Sequence, residues 1–344
     1  MRILILGTSS DAGKTVTSAM ICRYLSERGL DPVPFKASNL SLNSYATRDG
    51  GEIGMGQTFQ AWCCGIEPET DMNPVLMKPS GNGRIQLVVG GKPLADIAGD
   101  SEDGRAAARM EIKNALSRLS EQHGFVVCEG SGSPAELNLM DRDLANVGLM
   151  RAANVPTVLV GDIERGGVFA AIYGTWRLIP EDVRPLMKGF VINRFRGEAS
   201  ILREGIEKIE RLTGMKCLGV LPYMHLRFPE EDSLSRSEGR LEGDDPRQAF
   251  LDNIDELLCA AIEAGFDFDS LIEMAKGRSS SRCDPQRPDL RFLRRHRIHG
   301  DGPSPDHEDE CIRHVAGRTD GVLDGRTRRH LHGPLSGAHS RHDE

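Results

Sequence analysis

Residues 7–15, Gly7-Thr8-Ser9-Ser10-Asp11-Ala12-Gly13-Lys14-Thr15, bring glycines, a lysine and a hydroxyl together at a spacing suited to phosphate. Five residues separate the two glycines, where the common phosphate loop has about four. The apolar run Ile3–Leu6 precedes them and a helical pattern follows, the context that makes a phosphate-loop reading credible. Backbone N–H groups of Gly7, Thr8, Asp11, Ala12 and Gly13 are expected to converge on phosphate oxygens at a helix N-terminus. Lys14 should reach the β- and γ-phosphates as a point charge, and Thr15 should offer its hydroxyl to Mg²⁺. Mg²⁺ needs further oxygens at strand ends. Asp49, in TRDGGE, and Glu129, in CEGSGS after an apolar run, are the expected acids.

Such a loop needs strands to carry it. Candidate strands are Ile3–Leu6, Pro32–Phe35, Phe125–Cys128, Thr157–Val160, Lys188–Ile192 and Leu218–Leu221, with amphipathic stretches at Thr15–Arg28, Ala106–His123 and Ile201–Thr213. Short apolar strands alternating with helices predict an α/β fold: a mainly parallel sheet with helices on both faces. Ligands of such sheets lie at the carboxyl ends of the strands. A net charge of −8 argues against nucleic acid as a main partner. No apolar run reaches the ~18 residues of a membrane span, and the chain enters a strand at once, so no signal peptide is expected. The eight cysteines form no C-x-x-C pair and read as thiols of a reducing cytoplasm.

The expected organisation is a domain over 1–228, a polar, acidic linker over 229–246, a short helical segment over 247–276 and a tail over 277–344. The tail holds eight of the ten histidines, 13 arginines and no lysine. It has no helical or strand period, so it is expected to be poorly structured. Its Arg/His/Gly/Pro bias also resembles a GC-rich gene translated out of frame.

Longer stretches carry a resemblance. PFKASNLSLNSYATRDGGEIGMGQ (34–57), DMNPVLMKP (71–79), CEGSGSPAELNL (128–139), GDIERGGVFAAIYGT (161–175), GFVINRFRG (189–197) and GVLPY (219–223) together resemble cobyric acid synthase. The likeness covers about residues 1–235, and the loop spacing is shared with dethiobiotin synthetase and cobyrinate a,c-diamide synthase. The resemblance implies a dethiobiotin synthetase-like fold. It also implies ATP- and Mg²⁺-dependent activation of the b, d, e and g carboxylates of adenosylcobyrinic acid a,c-diamide as acyl phosphates, which ammonia converts to amides. Lys14, Lys36 and Glu129 are then the expected catalytic residues, with Lys36 facing both γ-phosphate and substrate carboxylate. Asn193 is expected to read the edge of adenine, and no N-K-x-D guanine motif competes with that choice. Asn39, Ser41, Asn43, Asp162, Glu164, Arg165 and Gly166 are substrate-binding candidates by motif, with Arg142 as a partner for a carboxylate.

Family members draw ammonia from a glutaminase domain with a Cys-His-Glu triad. No cysteine here stands in a G-x-C-x-G turn. The expectation is a synthetase half that uses free ammonia or a separate glutaminase, and homo-oligomerisation is left open. The alternatives are cobyrinate a,c-diamide synthase, a dethiobiotin synthetase-like ligase, or a non-enzymatic P-loop switch ATPase. The motif at 71–79 argues against both ligases, NPVLMKP and DIERGGVFA together against dethiobiotin synthetase and partition ATPases, and the absence of an early loop lysine against the switch.

Overall fold

Strands and helices alternate along the chain. The computed structural model describes residues 1–79, 85–94, 102–225 and 245–277. In order they form β1 (Arg2–Gly7), α1 (Lys14–Glu27), β2 (Pro32–Phe35), β3 (Asn39–Leu40), β4 (Ser44–Ala46), β5 (Glu52–Gly54) and α2 (Met55–Cys63). There follow β6 (Val75–Pro79), β7 (Ile85–Val89), β8 (Lys92–Pro93), α3 (Glu102–Gln122), β9 (Phe125–Glu129), α4 (Val147–Ala153) and β10 (Thr157–Asp162). The last are α5 (Val168–Leu178), β11 (Met187–Phe195), α6 (Arg203–Thr213), β12 (Lys216–Pro222), α7 (Pro246–Glu263) and α8 (Phe268–Ala275).

The six strands expected from apolar runs are the six strands of one sheet, in the order β12-β11-β10-β1-β9-β2. Every neighbouring pair is parallel. Successive side chains of a strand point to opposite faces. Accordingly Leu4, Leu6, Val126, Cys128, Leu159, Phe190 and Ile192 enter one core with α3, α4, α5 and α6. Ile3, Ile5, Phe125, Val127, Val158, Val160 and Val191 enter the other with α1, α2, α7 and α8. Burial on both sides is why these strands read as unbroken apolar runs. β1 lies between β9 and β10, with Ile5 opposite Glu129 and Gly7 opposite Val160. The loop after β1 and the acid ending β9 therefore emerge side by side.

Between β2 and β9 the sequence reading placed no strand. The structure has a mixed sheet there, β3-β6-β7-β8, and a β4–β5 hairpin. These strands are short and half-exposed, with Lys78, Gln86 and Lys92 among the apolar residues, so no period of two stands out.

Helices α7 and α8 fall in the segment read as helical. Asp245 starts α7 by accepting from the N–H groups of Arg247 and Gln248, with Pro246 in the first turn. Phe250 stacks on Phe59 with ring centroids 4.5 Å apart, and Phe268 on Tyr24 at 3.8 Å. Arg23 holds Asp255 through two hydrogen bonds of 2.6 and 3.0 Å. A buried Phe contributes about 1.5–3 kcal/mol, so the pair completes the core on that face of the sheet, and every described residue falls within one compact unit. The linker over 229–246 lies outside the described residues apart from its last two positions, and the tail apart from Gly277; Cys283 and Cys311 are outside as well. No described helix is long and apolar enough to cross a membrane.

Candidate active site

The loop from Gly7 to Thr15 leaves the centre of the sheet and opens α1. Gly13, at the helix N-cap, has φ 95°, and no side chain caps the helix. The first N–H groups of α1 are thus left for a ligand. A Cβ on Gly13 would lie 2.1 Å from Asn193 Nδ2, so only glycine fits there in both conformation and space. Lys14 is buried and curls back over the loop, its Nζ donating to Ser9 O at 2.9 Å. Asn193, at the end of β11, donates from Nδ2 to Ala12 O at 3.0 Å and accepts at Oδ1 from Arg194 N at 2.9 Å. The amide's donor end thus braces the loop, while its oxygen is held by the next residue of β11.

Beside the loop, Glu129 is fully buried. Its Oε1 accepts from Thr15 Oγ1 at 2.8 Å and from Lys36 Nζ at 2.9 Å. Its Oε2 accepts from Gln60 Nε2 at 2.5 Å. Lys36, just past β2, is itself buried, so this is a charge pair withdrawn from water, the kind in which loss of one partner costs about 3–5 kcal/mol. Thr15 and Glu129 place a hydroxyl and a carboxylate oxygen side by side at the helix N-terminus. Such hard oxygens suit Mg²⁺, which binds through one or two protein ligands together with substrate phosphates. The residues present therefore fit the ion.

From this knot a cavity of about 1040 Å³ runs outward. Lys14, Thr15, Lys36, Asn39, Ser41, Glu129 and Arg142 all line it. Its outer wall carries Leu40, Leu42, Ile85 and Leu139, each at least 41% exposed. Other expected residues stand apart from that lining. Asp49 sits exposed in the turn between β4 and β5, where hydrogen bonds from the Thr47 and Thr70 hydroxyls hold its carboxyl below the usual range. Asn43 lies in a turn, its N–H donating to Ser41 Oγ at 3.0 Å. Asp162 accepts from Arg194 Nη1 at 2.8 Å and from Glu164 N at 2.8 Å. Arg165 is exposed between β10 and α5, beside Gly166.

Two amides escaped the sequence reading. Gln60 is one. The other is Asn146, which accepts from Ser131 N at 3.0 Å and donates to Ser131 O at 2.7 Å. It thereby clamps the glycine-rich turn after Glu129, and a Cβ on Gly130 would lie 2.3 Å from its Oδ1. Asp143 holds this clamp through the N–H groups of Ala145 and Asn146, and burial pushes its carboxyl above the usual range. The only signal in the sequence is polar residues within otherwise apolar helical stretches.

Residues 3–233 match the family model described as the CobQ/CobB/MinD/ParA nucleotide binding domain. A probable cobyric acid synthase of Archaeoglobus fulgidus is 49% identical over 243 residues, covering 70% of this chain and 52% of that protein. Another, of Methanosarcina mazei, is 52% identical over 234 residues, 68% of this chain and 48% of that protein. A third, of Methanocella arvoryzae, is 45% identical over 294 residues, 85% and 59% respectively. The chain spans about half the length of the curated relatives it matches. The signal recognition particle receptor FtsY of Elizabethkingia anophelis aligns at 14% identity over 74% of this chain and 64% of that one, with a TM-score of 0.37, too slight a likeness to add to the family match.

Proposed function

The chain belongs to the CobQ/CobB/MinD/ParA nucleotide-binding domain family, and from that premise we propose that it is the ATP-dependent amidating half of a cobyric acid synthase. Its substrate is adenosylcobyrinic acid a,c-diamide, whose b, d, e and g carboxylates become amides. The observation that carries this reading is the knot of Thr15, Lys36 and Glu129 at the head of a cavity lined by cations, acids and apolar side chains together.

A carboxylate acylates poorly because its leaving group would be oxide. In the proposed reaction a carboxylate oxygen attacks the γ-phosphorus, ADP leaves, and ammonia then attacks the acyl carbon and expels phosphate. The protein's task is to align the groups and offset developing charge. The loop N–H groups and Lys14 hold the phosphates. Thr15 and Glu129 hold Mg²⁺, which when bound neutralises phosphate charge. Lys36 stands where the substrate carboxylate meets the γ-phosphoryl group. Arg142, Asn39 and Ser41 line the cavity and are the residues proposed to meet the other carboxylates.

The described residues form the half that consumes ammonia, and free ammonia is expected to serve as its nitrogen source. Among the described residues, burial pushes the Cys128 thiol up to about 12 and the Cys217 thiol up to about 11, and raises those of Cys63 and Cys64 well above the ordinary value. Such thiols are poor nucleophiles.

The test supplies the purified chain with ATP, Mg²⁺ and the corrin diamide, plus either ammonium or glutamine, and counts new amides by mass spectrometry. Amidation with ammonium, favoured at alkaline pH where neutral ammonia is present, is the expected result, with none from glutamine. Amidation from glutamine alone would mean that a glutaminase site is present. ATP turnover without any amide would favour a switch ATPase over a ligase.

A further inference from the structure

Glu129 is held from both sides, and the second side is occupied by a residue that no motif singled out. Gln60, on α2, is fully buried. Its Nε2 donates to Glu129 Oε2 at 2.5 Å and to Thr15 O at 3.3 Å. Thr15 meanwhile donates its hydroxyl to the other oxygen of the same carboxylate. The three side chains close a ring in which one amide ties the helix N-terminus to both the backbone and the partner of its first hydroxyl residue. The amide's orientation is fixed by its neighbour, since an amide oxygen turned toward a carboxylate oxygen would repel it.

We propose that Gln60 is the positioning residue of the cation site: it fixes the Glu129 carboxylate so that Oε1 stays turned to Thr15, where Mg²⁺ is to be held. One observation and two arguments support this over simple packing. First, Gln60 Oε1 is buried and has no hydrogen-bond partner among the described residues. An apolar side chain of the same length would fill the space without that cost, so the donor end is what the position needs. Second, the donor is neutral. Lys36 already pairs with Glu129, and a second cation would cancel the charge that draws a divalent ion, whereas an amide aligns the carboxylate and leaves its charge. Third, without Gln60 the carboxylate could swing both oxygens onto Lys36 and leave Thr15. The proposal rests on the nucleotide–Mg²⁺ reading of this site, and it needs no corrin.

The test is Mg²⁺-dependent nucleotide binding by the full chain, measured by displacement of a fluorescent ATP analogue with and without EDTA, beside the melting temperature. Gln60→Met keeps length and removes the donor. Partners that orient metal ligands are worth about 10–100-fold in metal affinity. The Mg²⁺ concentration that half-restores tight binding should therefore rise at least about tenfold, with affinity in EDTA little changed and a lowered melting temperature, since buried Glu129 Oε2 loses its donor. An unchanged Mg²⁺ requirement in a folded Gln60→Met protein overturns the proposal. If that variant fails to fold, Gln60→Asn, which keeps polarity but withdraws the donor by one methylene, is measured in the same way, and a wild-type Mg²⁺ requirement there overturns it. A wild-type chain that binds nucleotide with no response to Mg²⁺ would instead overturn the reading of the site itself.

Discussion

The two ends of the cavity are built differently. At the inner end α1, the end of β2, α2 and β9 each send one side chain to a single point, and both oxygens of Glu129 are occupied. At the outer end, short strands and two loops present Leu40, Leu42, Ile85 and Leu139 with 42%, 49%, 41% and 54% of their surface exposed. Chemistry that must neutralise charge at a defined spot needs groups aligned before the substrate arrives. Recognition of a large ligand can instead accumulate from area. Substitutions at the inner end should therefore act on rate and metal, and those at the outer end on substrate affinity.

The largest effect should come from Lys14→Ala. Lys14 offers the loop's charge to phosphate, and removing a group aimed at transition-state charge costs about 100-fold or more in turnover. ATP-dependent amidation should fall at least that far while the circular dichroism spectrum stays the same. A variant that keeps more than a small part of its activity would break the assignment of the inner end.

Glu129→Gln comes next, and it acts twice. It removes the anion offered to Mg²⁺, and it strands Lys36 as a buried cation. The second effect should lower stability by about 3–5 kcal/mol, read as an earlier denaturant midpoint. Replacing both partners should separate the effects. Glu129→Gln with Lys36→Met should regain much of the midpoint and none of the activity. Recovery of activity would show the pair to be structural only.

How much of this was legible follows the same division. Ile3–Leu6, Phe125–Cys128 and Thr157–Val160 are runs that only a strand buried on both faces requires, and the acid that ends one of them proved to be the centre of the knot. Glycine flanks made Asp49 look alike; its glycines belong to a hairpin turn, with Gly50 at φ 80°, and its carboxyl accepts from Thr70 Oγ1 at 3.1 Å. The flanking composition is the same, and the strand pairing differs: Glu129 ends a strand of the central sheet and Asp49 lies between β4 and β5. Gln57 and Gln60 both lie on the buried face of α2. A hydrophobic pattern reads such residues as solvent-facing, so the amide that holds Glu129 could not be seen until β9 was placed opposite it. The β6–β7 wall was missed because short, half-exposed strands show no alternation.

The smallest expected effect tests that wall. Fully burying a leucine or isoleucine contributes about 1.5–3 kcal/mol, and Leu42 and Ile85 are already half covered, so about 1 kcal/mol each remains for a ligand to gain. That is about fivefold in affinity per residue. Leu42→Ser and Ile85→Ser should each raise the KM for the corrin by about that factor and together by their product, provided that their contacts with the ligand are independent. The KM for ATP and the Mg²⁺ requirement should stay at wild-type values, because neither residue belongs to the knot. Both substitutions make the surface more polar at exposed positions, so stability should change little. A matching rise in the KM for ATP would mean that the wall holds the nucleotide. No change in either KM would mean that Leu42 and Ile85 serve another surface, and the corrin would then have to bind elsewhere along the cavity lining.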